Sequence, residues 1–210
     1  MRDGDDSAMA RVRIWDLPVR VGHWSLVAAF VIAWLSGDSE RWRMVHVVAG
    51  FVMAGALVFR LFWGLAGSRY ARFSSFMFSP SQAVAYLKDI LHGGGRHWVG
   101  HNPAGSYAIY LLILLGFAVT LSGWAVYAEA GGEWLEDGHE LIADAMLAVV
   151  GLHVVGAVVS SLAHRENLIR SMVSGYKQGK PEDAITGMRA AWLIVLFACM
   201  LAAGWLGYNS

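Results

Sequence analysis

Apolar residues in this chain gather into five long runs, in place of the short alternating or i, i+3, i+4 stripes of a water-soluble core. The runs cover residues 21–37, 44–65, 106–127, 140–162 and 190–208. Each approaches the ~20 residues that a helix needs to cross a ~30 Å hydrocarbon layer, so five transmembrane helices are predicted. The first run is the shortest, and its polar approach around Pro18 suits a helix entering from the interface. Between the second and third runs, Pro80, a short apolar stretch over residues 83–91 and the glycines at 93–95 predict one surface helix followed by a turn. No internal repeat or low-complexity segment interrupts the pattern.

Composition agrees with a polytopic membrane protein: 57% of the 210 residues are apolar, and the mean hydropathy is +0.47. The formal net charge is zero, so no basic surface points to nucleic acid. The single cysteine, Cys199, excludes an intrachain disulfide, a four-cysteine iron–sulfur cluster and C-x-x-C-H attachment of a c-type haem. Any haem is therefore expected to be held non-covalently. The first twenty residues lack an apolar signal core, so no cleavable secretory signal is expected and the first span serves as an anchor.

Basic residues sort by side. The N-terminal tail carries Arg2, Arg11, Arg13 and Arg20; the second connection carries Arg69, Arg72, Lys88 and Arg96, with Arg60 near the end of span two; the connection after span four adds Arg165, Arg170, Lys177, Lys180 and Arg189. Only Arg41 and Arg43 fall on the other side. Because Lys and Arg are retained in the cytoplasm, the N-terminus is expected there and the C-terminus on the periplasmic side of a bacterial inner membrane. The outer connection over residues 129–140 holds five acids and no base; it reads either as a solvated loop or as a dock for a basic electron carrier.

Eight histidines occur. His92, His97, His101 and His164 fall in the basic connections, where an imidazole is easily solvated. The other four lie in or at the ends of spans, where an ionisable group signals function by default. His139 and His153 are 14 residues apart on span four, within about 40° of one helical face and about 21 Å apart along the axis. His23 lies near the cytoplasmic start of span one and His46 near the periplasmic start of span two. Antiparallel threading therefore pairs His23 with His153 on the cytoplasmic side and His46 with His139 on the periplasmic side. Two imidazoles on opposite faces of an iron porphyrin fill both axial positions, which suits electron transfer and leaves no open site at iron. The levels of His23 and His153 match only if span one starts earlier or tilts. Gly116 and Gly123 share one face of span three and serve either a flat macrocycle or close helix packing.

The stretches WDLPVRVGHW, MVHVVAGFVMAGALVFRLFWGLAGSRYARFSSF, GHNPAGSYAIYLLILL and HELIADAMLAVVGLHVVGAVVSSLAHRENLIRSMVSG resemble the bacterial cytochrome b561 family, which includes the b-type cytochrome subunits of nickel–iron hydrogenases. The resemblance implies a four-helix bundle holding two bis-histidine haem b groups at His23, His46, His139 and His153. It also implies electron transfer between the quinone pool and a partner such as a periplasmic cytochrome c or a hydrogenase. Arg20, Arg60, Arg69 and His101 are candidates to neutralise haem propionates, or are simply positive-inside residues. Two features depart from the pattern. Asp144 stands where the related motif usually has an amide, either for quinone protonation or hydrogen-bonded in the bundle, and a fifth span follows the core, to meet a partner or lipid.

The expected organisation is a tail over residues 1–20, a di-haem core over 21–162, a cytoplasmic connection over 163–189 and an additional transmembrane helix over 190–208. The fold class is thus an all-α membrane protein, a four-helix transmembrane bundle with a fifth C-terminal helix. The competing class is a transporter or channel whose histidines bind a metal or relay protons, but the repeats and interrupted spans usual in transporters are missing from the sequence.

Overall fold

The computed structural model describes residues 9–94 and 96–209; Arg2 of the tail and Gly95 of the glycine turn, both used above, lie outside the described residues. In chain order the elements are β1 (Ala10–Arg13), α1 (Leu17–Ser36), α2 (Arg43–Ala66), α3 (Pro80–Leu91), α4 (Pro103–Tyr127), α5 (Glu133–Ala163), α6 (Leu168–Ser174), β2 (Tyr176–Gly179) and α7 (Trp192–Asn209). Helices α1, α2, α4, α5 and α7 are each long and apolar enough to cross a membrane. The surface helix α3 starts at Ser79, whose side chain and that of Gln82 form a reciprocal capping box.

Two helix starts differ from the hydropathy reading. Helix α1 begins at Leu17 because the Asp16 carboxylate caps it, accepting from Val19 N at 2.9 Å, and Pro18 pre-sets the first turn. Helix α5 begins at Glu133, not at residue 140, so Glu133, Glu136, Asp137 and Glu140 belong to its first turns. They do not form a loop. Carboxylates there are favoured by the positive end of the helix dipole, and polar residues at a helix start are invisible to a hydropathy window.

Helix α2 is central, packed against α1, α4 and α7; α5 runs along α4 and meets α1 and α2 only sparsely. At mid-height Ala29, Met53, Leu57, Val119 and Met146 form a buried apolar core that draws on α1, α2, α4 and α5. The fifth span is part of this packing. A Cβ on Gly55 of α2 would stand 2.5 Å from Cys199 O, and one on Gly207 of α7 would stand 2.5 Å from Phe51 Cδ2, so the two backbones approach closely through small residues. Leu196 on the same face is fully buried, whereas Ile194, Leu201 and Trp205 remain exposed. Gly55→Val should lower the thermal midpoint of the purified protein through an overpacking cost of about 1–3 kcal/mol. Gly151→Ala, at a position with no atom within 4 Å, is the matched control and should cost nothing.

A second small core closes the basal face, where α1 begins. β1 pairs antiparallel with β2, Val12 opposite Lys177, so the residues before the first span are tied to the connection after α5. This sheet stands outside the helical bundle, and the hydropathy pattern does not signal it, because four-residue strands carry too little periodicity to register. Val12, Ile14, Trp15 and Tyr70 are buried together beneath it. Gly175 ends α6 in the left-handed region at φ 88°, and its carbonyl accepts from Ile14 N and Trp15 N at 2.9 and 3.1 Å. A Cβ there would meet Trp15 O at 2.8 Å, so glycine is required on both counts.

Candidate functional site

The four span histidines are brought together in twos. At the distal level, His46 on α2 faces His139 on α5 with ring centroids 6.0 Å apart and nearly perpendicular planes. At the basal level, His23 on α1 faces His153 on α5 at 6.5 Å. The earlier start of α1 places His23 six residues inside its helix, which removes the mismatch of levels. Both pairs reach across the side on which α5 stands away from α1 and α2.

Hydrogen bonds orient the distal rings. His46 Nδ1 lies 2.8 Å from Ala33 O; a carbonyl only accepts, so Nδ1 carries the proton and Nε2 keeps its lone pair. Ser122 Oγ donates to Val119 O and lies 3.0 Å from His139 Nδ1, which leaves the hydroxyl as acceptor and again frees Nε2. These partners, a backbone carbonyl and a serine on the neighbouring helix, have no sequence signature. Gly123 belongs to the same arrangement, since a Cβ there would stand 2.9 Å from His139 Cε1. Gly116 backs onto Leu57, so it serves helix packing.

The basal level is richer in charge. Arg60 Nη1 donates to Ala71 O at 3.2 Å with its guanidinium over the Phe73 ring, and Arg20 donates to Val173 O. His101 is sandwiched by Trp15 and Phe76, with ring centroids at 4.8 and 4.4 Å. Asp16 accepts from Trp63 Nε1 at 3.1 Å as well as capping α1, so one buried carboxylate fixes both the start of α1 and the end of α2. Four buried polar atoms here have no hydrogen-bond partner: Trp15 Nε1, His23 Nδ1, Arg20 Nε and His101 Nδ1. Arg69 lies apart from them, exposed and donating to Glu182 O. Asp144 is exposed on the outer face of α5, with no hydrogen bond from its side chain among the described residues, so it is not a carboxyl held inside the bundle.

The family model described as prokaryotic cytochrome b561 matches residues 14–175 of the chain. The protein belongs to that family. This member of the cytochrome b561 family is accordingly a multi-pass membrane haem protein of electron transport. It is similar to the probable Ni/Fe-hydrogenase B-type cytochrome subunit of Rhodobacter capsulatus, at 25% identity over 81% of this chain and 83% of that protein. The corresponding proteins of Rhizobium leguminosarum bv. viciae and Escherichia coli K12 are each 24% identical, over 82% and 80% of this chain and 91% of each relative. No solved structure matches.

The cytochrome's side chains fit a haem at each level. The ring centroids of the two pairs stand 6.5 and 6.0 Å apart, so each pair would have room to hold one iron between its imidazoles. Gly50 lies one turn from His46 and Gly156 three residues from His153, and a Cβ on either would meet nothing within 4 Å, so space is open beside the rings. The unpartnered Arg20 and His101 nitrogens suit a ligand with carboxylate groups. Among the described residues no three His, Cys, Asp or Glu side chains converge as a metal-ion site.

Proposed function

We propose that the protein is a di-haem b-type cytochrome that carries electrons across the inner membrane between the quinone pool and a redox partner. The observation that supports this most directly is the pairing of four histidines at two heights across one side of α5. His23 and His153 would hold the basal haem iron, and His46 and His139 the distal one. A bis-imidazole haem supplies one-electron chemistry at an iron with no vacant position.

The chain's own residues then do three things. Ala33 O and Ser122 hold the distal imidazoles in the tautomer that presents Nε2, which fixes ring orientation and raises ligand basicity. Arg20, Arg60 and His101 provide charge-assisted donors for propionates at the basal level. The mid-height core of Ala29, Met53, Leu57, Val119 and Met146 separates the levels with apolar side chains that exclude water. The basic residues gather on the basal face, with only Arg41 and Arg43 beyond the distal ends of α1 and α2, which supports a cytoplasmic basal face, a cytoplasmic N-terminus and a periplasmic C-terminus. The relatives named above favour a hydrogenase as partner; the acidic start of α5 would equally receive a basic periplasmic cytochrome c.

A pyridine haemochrome assay on the purified protein should count two haem b per chain, and a reduced-minus-oxidised spectrum should show quinol-driven reduction. A count of one or none rejects the pairing. Reduction by dithionite but not by quinols removes the quinone from the proposal and leaves the haems in it.

A further inference from the structure

On the basal face, away from all four histidines, a cleft of about 250 Å³ opens between the turn after α2 and the segment leading into α7. Ser68, Arg69, Arg72, Thr186 and Arg189 line it. Three arginines thus line one small space, and among the described residues none of them forms an ion pair with a carboxylate. Arg69 donates only to a backbone carbonyl, Glu182 O at 3.3 Å. Arg189 is held at φ 51°, in the left-handed region that non-glycine residues seldom occupy, and its guanidinium lies over the Trp63 ring. Unneutralised arginines crowded together repel one another, and an anion removes that cost.

A second observation points to a ligand. Ser68 is 3% exposed, and its Oγ is buried without a hydrogen-bond partner in the wall of the same cleft. A buried hydroxyl left unsatisfied costs roughly 1–3 kcal/mol, so such orphans mark places where a group from outside the chain completes the bonding. The cleft's volume is several times the roughly 30 Å³ share of one water, which is room for a tetrahedral oxyanion and its shell.

The setting identifies the source of that anion. Leu65 lies one turn before Arg69 and is 75% exposed, and Phe62 and Trp192, whose ring centroids are 5.4 Å apart, are exposed beside it. Exposed apolar side chains at the end of α2 and the start of α7 thus adjoin the chain segments that carry the arginines, the arrangement expected at a border between hydrocarbon and water. We propose that this cleft binds the phosphate group of an anionic phospholipid, with Arg69, Arg72 and Arg189 as cationic partners, Ser68 as hydrogen-bond donor and the Leu65–Phe62–Trp192 surface against the acyl chains. Bound there, the lipid bridges the end of α2 to the start of α7, the same two helices that pack through Gly55 and Gly207. This reading is independent of the haem assignment.

The test uses the full-length protein in neutral detergent, followed by thermal midpoint and by native mass spectrometry. Phosphatidylglycerol should raise the midpoint and remain bound, and phosphatidylcholine at the same concentration should do neither. Arg72→Gln, which removes no hydrogen bond within the chain, should weaken phosphatidylglycerol binding roughly fivefold, and the triple Arg69→Gln/Arg72→Gln/Arg189→Gln variant roughly a hundredfold. An unchanged haem absorption spectrum in Arg72→Gln would show that the bundle is intact. Equal effects of the two lipids, or unaltered binding in both variants, would mean that these arginines act only in membrane orientation and would overturn the proposal. Saturation by inorganic phosphate alone, with no preference for the lipid, would also overturn it and leave a free-anion site.

Discussion

On the proposed assignment, His139→Ala should leave the purified protein with one haem in place of two, and His153→Ala should do the same at the other level. Each substitution removes one imidazole from a facing pair while the partner pair keeps both of its members. His46→Ala is expected to reproduce the spectrum of His139→Ala, and His23→Ala that of His153→Ala, because the members of a pair serve the same iron. The effect is all-or-none in haem stoichiometry, read by pyridine haemochrome, with transmembrane electron transfer abolished in all four variants. Four variants that sort into two other couples would contradict the assignment, as would retention of both haems in any of them. Thermal midpoints measured alongside separate local haem loss from collapse of the bundle.

Glu166→Ala should be the most damaging substitution outside the membrane spans, at about 3–5 kcal/mol, the usual cost of half-removing a buried ion pair. Glu166 is 9% exposed and joins three segments: it accepts from His97 Nε2 at 3.0 Å and from Gln178 N at 2.7 Å, and faces Lys177 Nζ at 3.4 Å. Lys177 is itself buried and otherwise donates only to Trp98 O at 2.9 Å, so removal of the carboxylate strands an ammonium in the basal core. Burial by itself would raise the Glu166 pKa, but the hydrogen bonds from His97 and Gln178 and the charge of Lys177 outweigh it and lower the pKa from 4.5 to about 2. A depressed carboxylate pKa stabilises the fold above the unfolded value and loses that contribution as pH falls through the folded one. The basal cap should therefore loosen between pH 4.5 and about pH 2. Hydrogen exchange of the Tyr176–Gly179 amides reads this directly, and in Glu166→Gln the acid dependence over that window should vanish.

The bundle and its histidines were legible in the sequence because both are carried by long-range periodicity. Five apolar runs gave five helices, and the 14-residue offset between His139 and His153 placed two rings near one face of a single helix. What escaped was encoded locally or not at all. The true start of α1 was signalled by Asp16 and Pro18, a capping residue with a proline in the first turn, yet a hydropathy window gives such polar residues no weight. The seven-residue extension of α5 was hidden for the same reason behind its acids. The β1–β2 pair joins residues more than 160 positions apart in two four-residue strands, a contact that only the folded chain creates. Likewise, the acceptor for His46 is a main-chain carbonyl, and no side-chain pattern announces it.

The apolar plug between the two histidine levels also has an electrical consequence. With a haem at each level, an electron moving between them travels about 21 Å of a hydrocarbon layer about 30 Å thick, through side chains of low polarisability. Such a transfer displaces roughly two thirds of a charge across the membrane's insulating layer, coupling it to the resting voltage by about 1.6 kcal/mol per 100 mV. Because Ala29, Leu57 and Val119 offer no site for a proton and Met53 and Met146 bring only thioethers, that displacement goes uncompensated within the bundle. The redox balance between the two sides of this protein should therefore shift with membrane voltage, as in a charged capacitor.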